Sequence, residues 1–521
     1  MGTKTVRALA LAAAALALAT TAALAGGGDA RVAAADGGIA RGNVEIARYM
    51  ETNWDAETAR GVPYPARSPF LVLHGSWHAM GVQYGEGAGE YVRIVYDALY
   101  ANWRRSGLDP AKLPRVLDMY ARETKKLSPE LLQFMRGIAK GAAPELGTAT
   151  HAQALDDYHK ILFLNSLFEV VIPPAWRHVA ELMDSKKPPE TDARFEPFAS
   201  HSWAAFGSAT THGGGIAGGT RDQPWWPLFY SVSYVAIPTD PSANVTFGNT
   251  IAGMIAASAQ VNDRGVYIGN TIIGGAEQEF GVPALLVTAY TSFFADSARE
   301  AADLFTIGTE AYRRVTGRKT LAYTVGFNQL VADAGEALAV ERTGRRYAVR
   351  ASGDEGELGP YVVLTNHHLA GWSHDENGVR TDEPMSDFGS GGGTNTESRY
   401  RALYWEIAYN LGAVDLEFGT ERLAKLKHSY TEAGELVTEQ DGIPIWRLGL
   451  TPERYTGIAD PADPDAFPTG GNLMYLVADL RSLDVYYTQG IPSHWRGPWD
   501  HVWLGDPAYR LLRRSGGAPR R

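Results

Sequence analysis

Apolar positions recur at helical spacing through the first part of the chain. From Met80 to Arg105, the residues Val82, Tyr84, Tyr91, Ile94, Val95, Leu99 and Trp103 step along one face, which predicts an amphipathic helix. Leu131, Leu132, Phe134, Met135 and Ile138 do the same between Pro129 and Lys140, and a third helix is expected from about Ala152 to Glu169. Tyr64 to Gly75 reads instead as a strand and turn. From about Asn43 to Ser185 the pattern is therefore mostly helical. Lys186 to Pro197 (KKPPETDARFEP) breaks it: charged, Pro-rich and without period, it reads as an exposed linker, where chain cutting is structurally cheap.

Past Ser200 the spacing changes. Ser202–Gly207, Gly215–Gly219 and Tyr230–Ile237 read as consecutive strands with Gly- or Pro-rich turns, and Val266–Ile273 and Ala337–Val340 continue the pattern. Helices are expected over Ala284–Thr306 and Ser398–Tyr409. Leu473–Asp479 and Ser482–Thr488 close the chain as strands around a turn. Runs of strands with interspersed helices predict a layered α+β domain. No repeat of fixed period is visible.

The first residues read as an export signal over 1–25. Lys4 and Arg7 form a basic start, Ala8 to Ala23 is apolar, and Ala23-Leu24-Ala25 supplies a small-x-small cleavage pattern before Gly26-Gly27-Gly28. A secreted or periplasmic protein is expected, and no later segment is long and apolar enough for a stable membrane span. Residues 26–40 are small and polar and read as unstructured. The net charge of −11 argues against a broad nucleic-acid surface. The absence of cysteine excludes disulfides, thiolate metal sites and any Cys nucleophile.

Chemistry gathers in one segment, SHSWAAFGSATTHGGGIAGGTRD, from Ser200 to Asp222. A strand starts at a serine, a hairpin follows, and the return strand ends in Arg221-Asp222. Ser200-His201-Ser202-Trp203-Ala204-Ala205-Phe206-Gly207, then Gly218-Gly219-Thr220-Arg221-Asp222, resembles the start of the mature chain in the acyl-CoA:6-aminopenicillanate acyltransferase-like family of N-terminal-nucleophile (Ntn) hydrolases. Ser200 falls on that family's Cys nucleophile and Asp222 on its acidic residue. Further matches follow in order: Asn262-Asp263-Arg264-Gly265-Val266 with Asn270 on the next strand, Asn328 to Glu341, Thr365-Asn366-His367, then Ser398 and Arg401. Upstream, His74-Gly75-Ser76 and Gly81-Val82-Gln83-Tyr84-Gly85 resemble the family's pro-segment. Two features depart from the pattern. The nucleophile is Ser, and the position of the family's Arg is Gly219, with Arg221 shifted from it.

The resemblance implies a four-layer αββα Ntn-hydrolase sandwich over residues 200–521. It is preceded by a mainly helical pro-segment or α-chain over 26–199, with the exposed linker at 186–197. It also implies cleavage between Ala199 and Ser200. A Ser hydroxyl needs a base. The free α-amine of the same residue, with a pKa near ~7.7–8.0, suits that task once the preceding amide is broken. Asn366 is the first choice for oxyanion donor and Asn270 the second. Asp222 would orient the Ser200 ammonium or the Arg221 guanidinium, and Arg221, Asn262 and Asn328 are further support candidates. No cofactor and no metal are implied. The expected activity is hydrolysis of an N-acyl amide (a small peptide, an N-acyl amine or a β-lactam side chain, as in penicillin acylases) through an acyl-Ser200 intermediate, with the two processed chains remaining associated.

Other readings stay open on the residues alone. Transfer of the acyl group to an amine, lipid deacylation of the phospholipase B-like kind, and a non-catalytic binding protein on an Ntn scaffold are the rivals. Ser202 is an alternative nucleophile, in the wrong column of the motif. A turn-closing role before Pro224 also fits Asp222, and Asn262 suits a tight turn. His367, His368 and His374 cluster in NHHLAGWSH, with a spacing that fits no specific metal pattern. Trp225-Trp226 and Trp495 with Trp499 read as core or pocket wall.

Overall fold

The computed structural model describes residues 69–172, 175–185, 200–223, 230–256, 259–273, 277–354, 359–389, 394–440, 443–445, 452, 471–489 and 499–515. The expected export signal, the stretch to Ser68, the linker Lys186–Pro197, Ala199, Trp225-Trp226 and Trp495 lie outside the described residues.

Ahead of Ser200 the chain forms one strand and a set of helices. β1 (Phe70–Gly75) leads into α1 (Trp77–Arg104), whose first turn is capped by Ser76 Oγ accepting from Ala79 N at 3.3 Å. α2 (Leu113–Leu127), α3 (Pro129–Leu146), α4 (Asp157–Asn165) and α5 (Trp176–Leu182) follow. α3 starts where Ser128 caps and Pro129, which lacks an N–H, occupies the first turn. α1 and α3 pack almost backbone to backbone. A Cβ on Gly85 would lie 2.4 Å from Ile138 O, and one on Gly141 would lie 2.2 Å from Val82 O. Only glycine permits that approach. The helix expected from Ala152 starts five residues later, because Asp156 Oδ1 accepts from His159 N at 2.9 Å and caps it there. It then gives way to a π turn over Leu167–Val171.

After Ser200, β2 (Ser202–Gly207) and β3 (Gly213–Gln223) form a hairpin. β4 (Ser231–Pro238), β5 (Thr246–Ile251), β6 (Ala259–Asn262) and β7 (Tyr267–Ile272) meander antiparallel. The apolar run from Ala284 is two helices, α6 (Ala284–Phe294) and α7 (Ala298–Thr306), because Ser297 Oγ accepts from Glu300 N at 3.2 Å and restarts the helix. α8 (Glu310–Thr316), β8 (Phe327–Ala332), β9 (Ala337–Arg342), β10 (Tyr347–Ala351) and β11 (Tyr361–Leu364) come next. The two-residue strands β12 (Ser373–His374) and β13 (Arg380–Thr381) precede α9 (Thr394–Ala408). β14 (Gly471–Asp479), β15 (Asp484–Gln489) and β16 (Asp500–Trp503) complete the strands used below.

Among the described residues these strands make two large sheets. One has the order β1-β4-β5-β6-β7-β8-β9-β10-β12-β13, the other β11-β2-β3-β14-β15-β16. β1 pairs in parallel with β4, Leu71 opposite Tyr234, so the segment before Ser200 supplies an edge of the larger sheet. Its helices cover that sheet's outer face. Trp77 meets Phe293 at 4.9 Å between ring centroids, Tyr84 meets Tyr234 at 6.1 Å, and Phe168 meets Phe327 at 5.1 Å. A second core, with Ala204, Ala217, Phe247, Val261 and Leu476, lies between the two sheets. A third packs Trp203, Val363 and Val477 against Leu403 and Ile407 of α9. The protein is thus mixed α+β, with two large sheets and helices packed against them. No helix among the described residues is long and apolar enough to cross a membrane.

Candidate active site

The hairpin sets the geometry. Ser202 pairs with Gly219, and Thr220 N donates to His201 O at 2.9 Å, so the ladder runs on past the start of β2. Continuing the register by two residues sets Ser200 opposite Arg221. Side chains alternate across a strand, so Ser200, Ser202, Gly219 and Arg221 share the face turned toward the larger sheet. Two contacts agree: Ser200 Oγ donates to Asn270 O on β7 at 3.2 Å, and Arg221 Nη2 donates to Ser231 Oγ on β4.

The sheets come very close here. A Cβ on Gly219 would sit 2.6 Å from both His201 O and Tyr267 OH, and one on Gly269 would sit 2.2 Å from Ser202 Oγ. Position 219 therefore has no room for the arginine that the resemblance expects. Arg221, two residues on, keeps the same face because the strand period is two.

Ser200 is 6% exposed and is held at each polar main-chain atom. Its N donates to Asn366 Oδ1 at 3.1 Å, and its carbonyl accepts from Arg399 Nη1 at 2.7 Å. Arg399 Nη2 reaches the same Asn366 oxygen at 2.8 Å, and its Nε donates to Asn395 Oδ1 at 3.1 Å. Asn366 Nδ2 donates to Ile272 O at 2.9 Å, and Asn366 N donates to Thr396 Oγ1 at 2.9 Å. The start of β2, the end of β7, the turn after β11 and the second turn of α9 thus meet at one serine.

The residues named from sequence fall in different places. Asn366 is at Ser200, but it turns its oxygen to the serine nitrogen and gives its NH2 to Ile272. Asn270 contributes its backbone carbonyl, while its Oδ1 accepts from Thr288 Oγ1 at 3.0 Å. Asn328 Nδ2 donates to Thr365 O at 3.1 Å and to His367 O at 2.8 Å, on either side of Asn366. Asp222 is buried beside Arg221 and opposite Asn472; burial raises the Tyr475 hydroxyl, and the Asp222 charge adds a little in the same direction. Asn262 serves a turn. Its Nδ2 donates to Ser292 O and Ala295 O, and its Oδ1 accepts from Arg264 N and Val266 N.

Arg399 is the residue that the sequence reading missed, in favour of Arg401. Arg401 Nε donates to Tyr430 O at 3.0 Å, away from Ser200. Helical phase could have told them apart: Arg399 lies four residues before buried Leu403 and three before buried Ala402, on the inward face. Ser398 gives its carbonyl to Ser429 Oγ at 2.6 Å.

The electrostatics are those of a buried, cation-rich site. Arg221 is fully buried, burial lowers its pKa, and its Nε and Nη1 have no hydrogen-bond partner among the described residues. His367 is pushed down to about 4 by burial, so it is neutral at neutral pH, with Nδ1 near Thr365 Oγ1 at 3.0 Å and Thr396 Oγ1 at 2.9 Å. The other two histidines of the cluster point elsewhere. His368 Nδ1 lies 3.0 Å from Met385 O, and the His374 ring stacks on Tyr347 at 4.7 Å. Among the described residues no group of three or more His, Asp or Glu could hold a metal ion.

No family model and no curated protein matches the chain. Solved structures do. A mutant of conjugated bile acid hydrolase from Clostridium perfringens matches at TM-score 0.34 and 10% identity, over 58% of this chain and 92% of that one. Penicillin V acylase from Agrobacterium tumefaciens matches at TM-score 0.29 and 11% identity, over 59% and 87%. The Caenorhabditis elegans ortholog of N-acylethanolamine-hydrolyzing acid amidase matches at TM-score 0.27 and 11% identity, over 54% and 92%. None of the three reaches a TM-score of 0.5, and the reading of the site rests on its own geometry.

Proposed function

We propose that the protein is a self-processing Ntn amidohydrolase on an αββα scaffold, in which Ser200 first cuts the bond that precedes it and then serves as nucleophile toward an N-acyl amide. One observation carries this reading: the backbone nitrogen of Ser200, not only its hydroxyl, is gripped by a side chain. Any buried N–H needs an acceptor, but here the acceptor is a side-chain oxygen that Arg399 also holds in place. A serine whose nitrogen becomes the catalytic base gains from that fixed acceptor.

In the precursor, Ser200 Oγ attacks the Ala199 carbonyl carbon, the C–N bond breaks as the nitrogen takes a proton, and an ester forms. Water then hydrolyses that ester and leaves a free α-amine on Ser200. Its ordinary pKa of about 7.7–8.0 suits a general base near neutral pH. Asn366 Oδ1 would orient the amine so that its lone pair faces Oγ, and Arg399 would fix the Ser200 main chain from its carbonyl side. Arg221 and Arg399 bring positive charge to where the substrate carbonyl develops negative charge, in a site that excludes water. Acyl-Ser200 formation expels the amine product, and water completes the cycle.

The segment before Ser200 is proposed to stay bound after cleavage. It contributes β1 and most of the buried aromatic side chains of the core it shares with the larger sheet, and exposing one large buried side chain costs about 1.5–3 kcal/mol. Intact mass and N-terminal sequencing test the whole reading. Wild-type protein is expected as two co-purifying chains, one beginning at Ser200, and Ser200→Ala as a single chain. An uncut wild type, or a mutant cut at the same bond, would end it.

A further inference from the structure

Asn366 can act only if the turn that carries it is held still, and two buried side chains outside the serine's own contacts hold that turn. β8 and β9 place Asn328 directly opposite Glu341, and both are fully buried. Asn328 Nδ2 donates to the carbonyls of Thr365 and His367, at 3.1 and 2.8 Å, which flank Asn366. Glu341 Oε2 accepts from Leu369 N and Ala370 N, both at 2.9 Å, and Oε1 accepts from Arg350 Nε at 2.6 Å. Four main-chain atoms of the 365–370 turn are thus fastened to one cross-strand pair.

The chemistry of each residue fits its half of the clamp. An amide NH2 has two hydrogens and can bridge two carbonyls, while a carboxylate oxygen has lone pairs for two N–H donors. Burial alone would raise the Glu341 carboxyl. The Arg350 guanidinium, with His368 and the Ala370 N–H, overrides that and holds it below the usual range, so it is ionised and acts as an acceptor at both oxygens. A buried ion pair adds little stability over an apolar pair of the same size. Its use here is directional.

We infer that Asn328 and Glu341 are positioning residues, which act through the 365–370 main chain to keep Asn366 Oδ1 on the Ser200 nitrogen. The inference rests on the proposed role of Ser200. Catalytic geometry tolerates little slack, so a turn freed from either side chain lets the amide wander from the nitrogen it must orient.

The experiment uses the full chain with Glu341→Gln, Glu341→Asp and Asn328→Ser. Three quantities are measured: hydrogen exchange at Leu369 and Ala370, the first-order rate of cleavage before Ser200, and the burst of p-nitrophenol from p-nitrophenyl acetate. Loss of one hydrogen bond to a charged group predicts at least about tenfold slower cleavage and burst in Glu341→Gln, with faster exchange at both amides. Glu341→Asp, which keeps the charge, should recover part of each. Asn328→Ser should slow both reactions while the chain stays folded, and it decides the matter if Glu341→Gln fails to fold. The inference is overturned if exchange quickens while both rates stay within about twofold of wild type, or if the rates fall with exchange unchanged. Wild-type protein that neither cleaves nor gives a burst removes the Ser200 reading itself, and the inference falls with it.

Discussion

Arg399→Lys is the sharpest test of the site. Arg399 presents a planar fork: one Nη to Ser200 O at 2.7 Å, the other to Asn366 Oδ1 at 2.8 Å. Lysine keeps the charge but offers a single compact ammonium, and it cannot hold two acceptors in fork geometry. At least one charge-assisted hydrogen bond is lost. Such bonds contribute about 1.5–3 kcal/mol, and each 1.4 kcal/mol is about a factor of ten. Cleavage before Ser200, and any later acylation, should slow about 10- to 100-fold on that basis. The assay is the half-time of precursor conversion followed by mass spectrometry, with Arg401→Lys in parallel. Arg401 lies two residues away on the same helix and bonds Tyr430 O instead, so its variant should stay within about twofold. Equal slowing in both variants, or no slowing in Arg399→Lys, refutes the assignment.

Two further changes probe the frame. Gly219→Ala places a methyl 2.6 Å from His201 O and Tyr267 OH, and the sheets must part to admit it. Overpacking of this kind destabilises by about 1–3 kcal/mol, readable as a lower midpoint in urea, and an unchanged midpoint would show that the gap is larger than described. Glu169, buried on the π turn, accepts from Ala284 N at 2.9 Å and is pushed up to about 8 by burial, from 4.5. The folded protein therefore holds a proton that the unfolded chain releases. The stabilisation is full below about pH 4.5 and is lost as pH rises to about 8, at about 1.4 kcal/mol per unit. Glu169→Gln stays neutral and should flatten that fall; parallel curves for the two proteins from pH 5 to 9 count against it.

Much of this layout was legible from local pattern, and the rest was not for identifiable reasons. The hairpin around Ser200 shows itself because glycines punctuate it, and α1 and α3 because one face of each is apolar. β5 and β8 hid because they are buried on both faces, and TFGNTI and FNQLVA carry no alternation to read. The break between α6 and α7 hid inside one apolar run, with only the cap at Ser297 to mark it. At the site, Ser200 and Asn366 follow from motif order. Arg399 does not, because motif spacing carries no information on which face of a helix turns inward. The grip of Glu341 on residues 369 and 370 joins two strands and a distant turn, and no local window contains all three.

Arg221 yields a last test. A strand turns every second residue to the same face, so an arginine can move by two places and still face Ser200, whereas a move by one would send it to the α9 side. At position 219 a Cβ would already strike His201 O and Tyr267 OH, whereas Arg221 takes the same face two places on. The result is a guanidinium, fully buried, with Nε and Nη1 unpaired among the described residues. Nothing among the described residues requires such a group, and an uncompensated buried charge is destabilising by several kcal/mol. Arg221→Met, similar in length and apolar, should therefore raise the unfolding midpoint, by an amount on the order of 1–4 kcal/mol, while slowing cleavage before Ser200. Improved stability with impaired chemistry is the signature of a residue kept for function. If Arg221→Met lowers stability and leaves the cleavage rate alone, the arginine is a structural residue and its place opposite Ser200 carries no catalytic meaning.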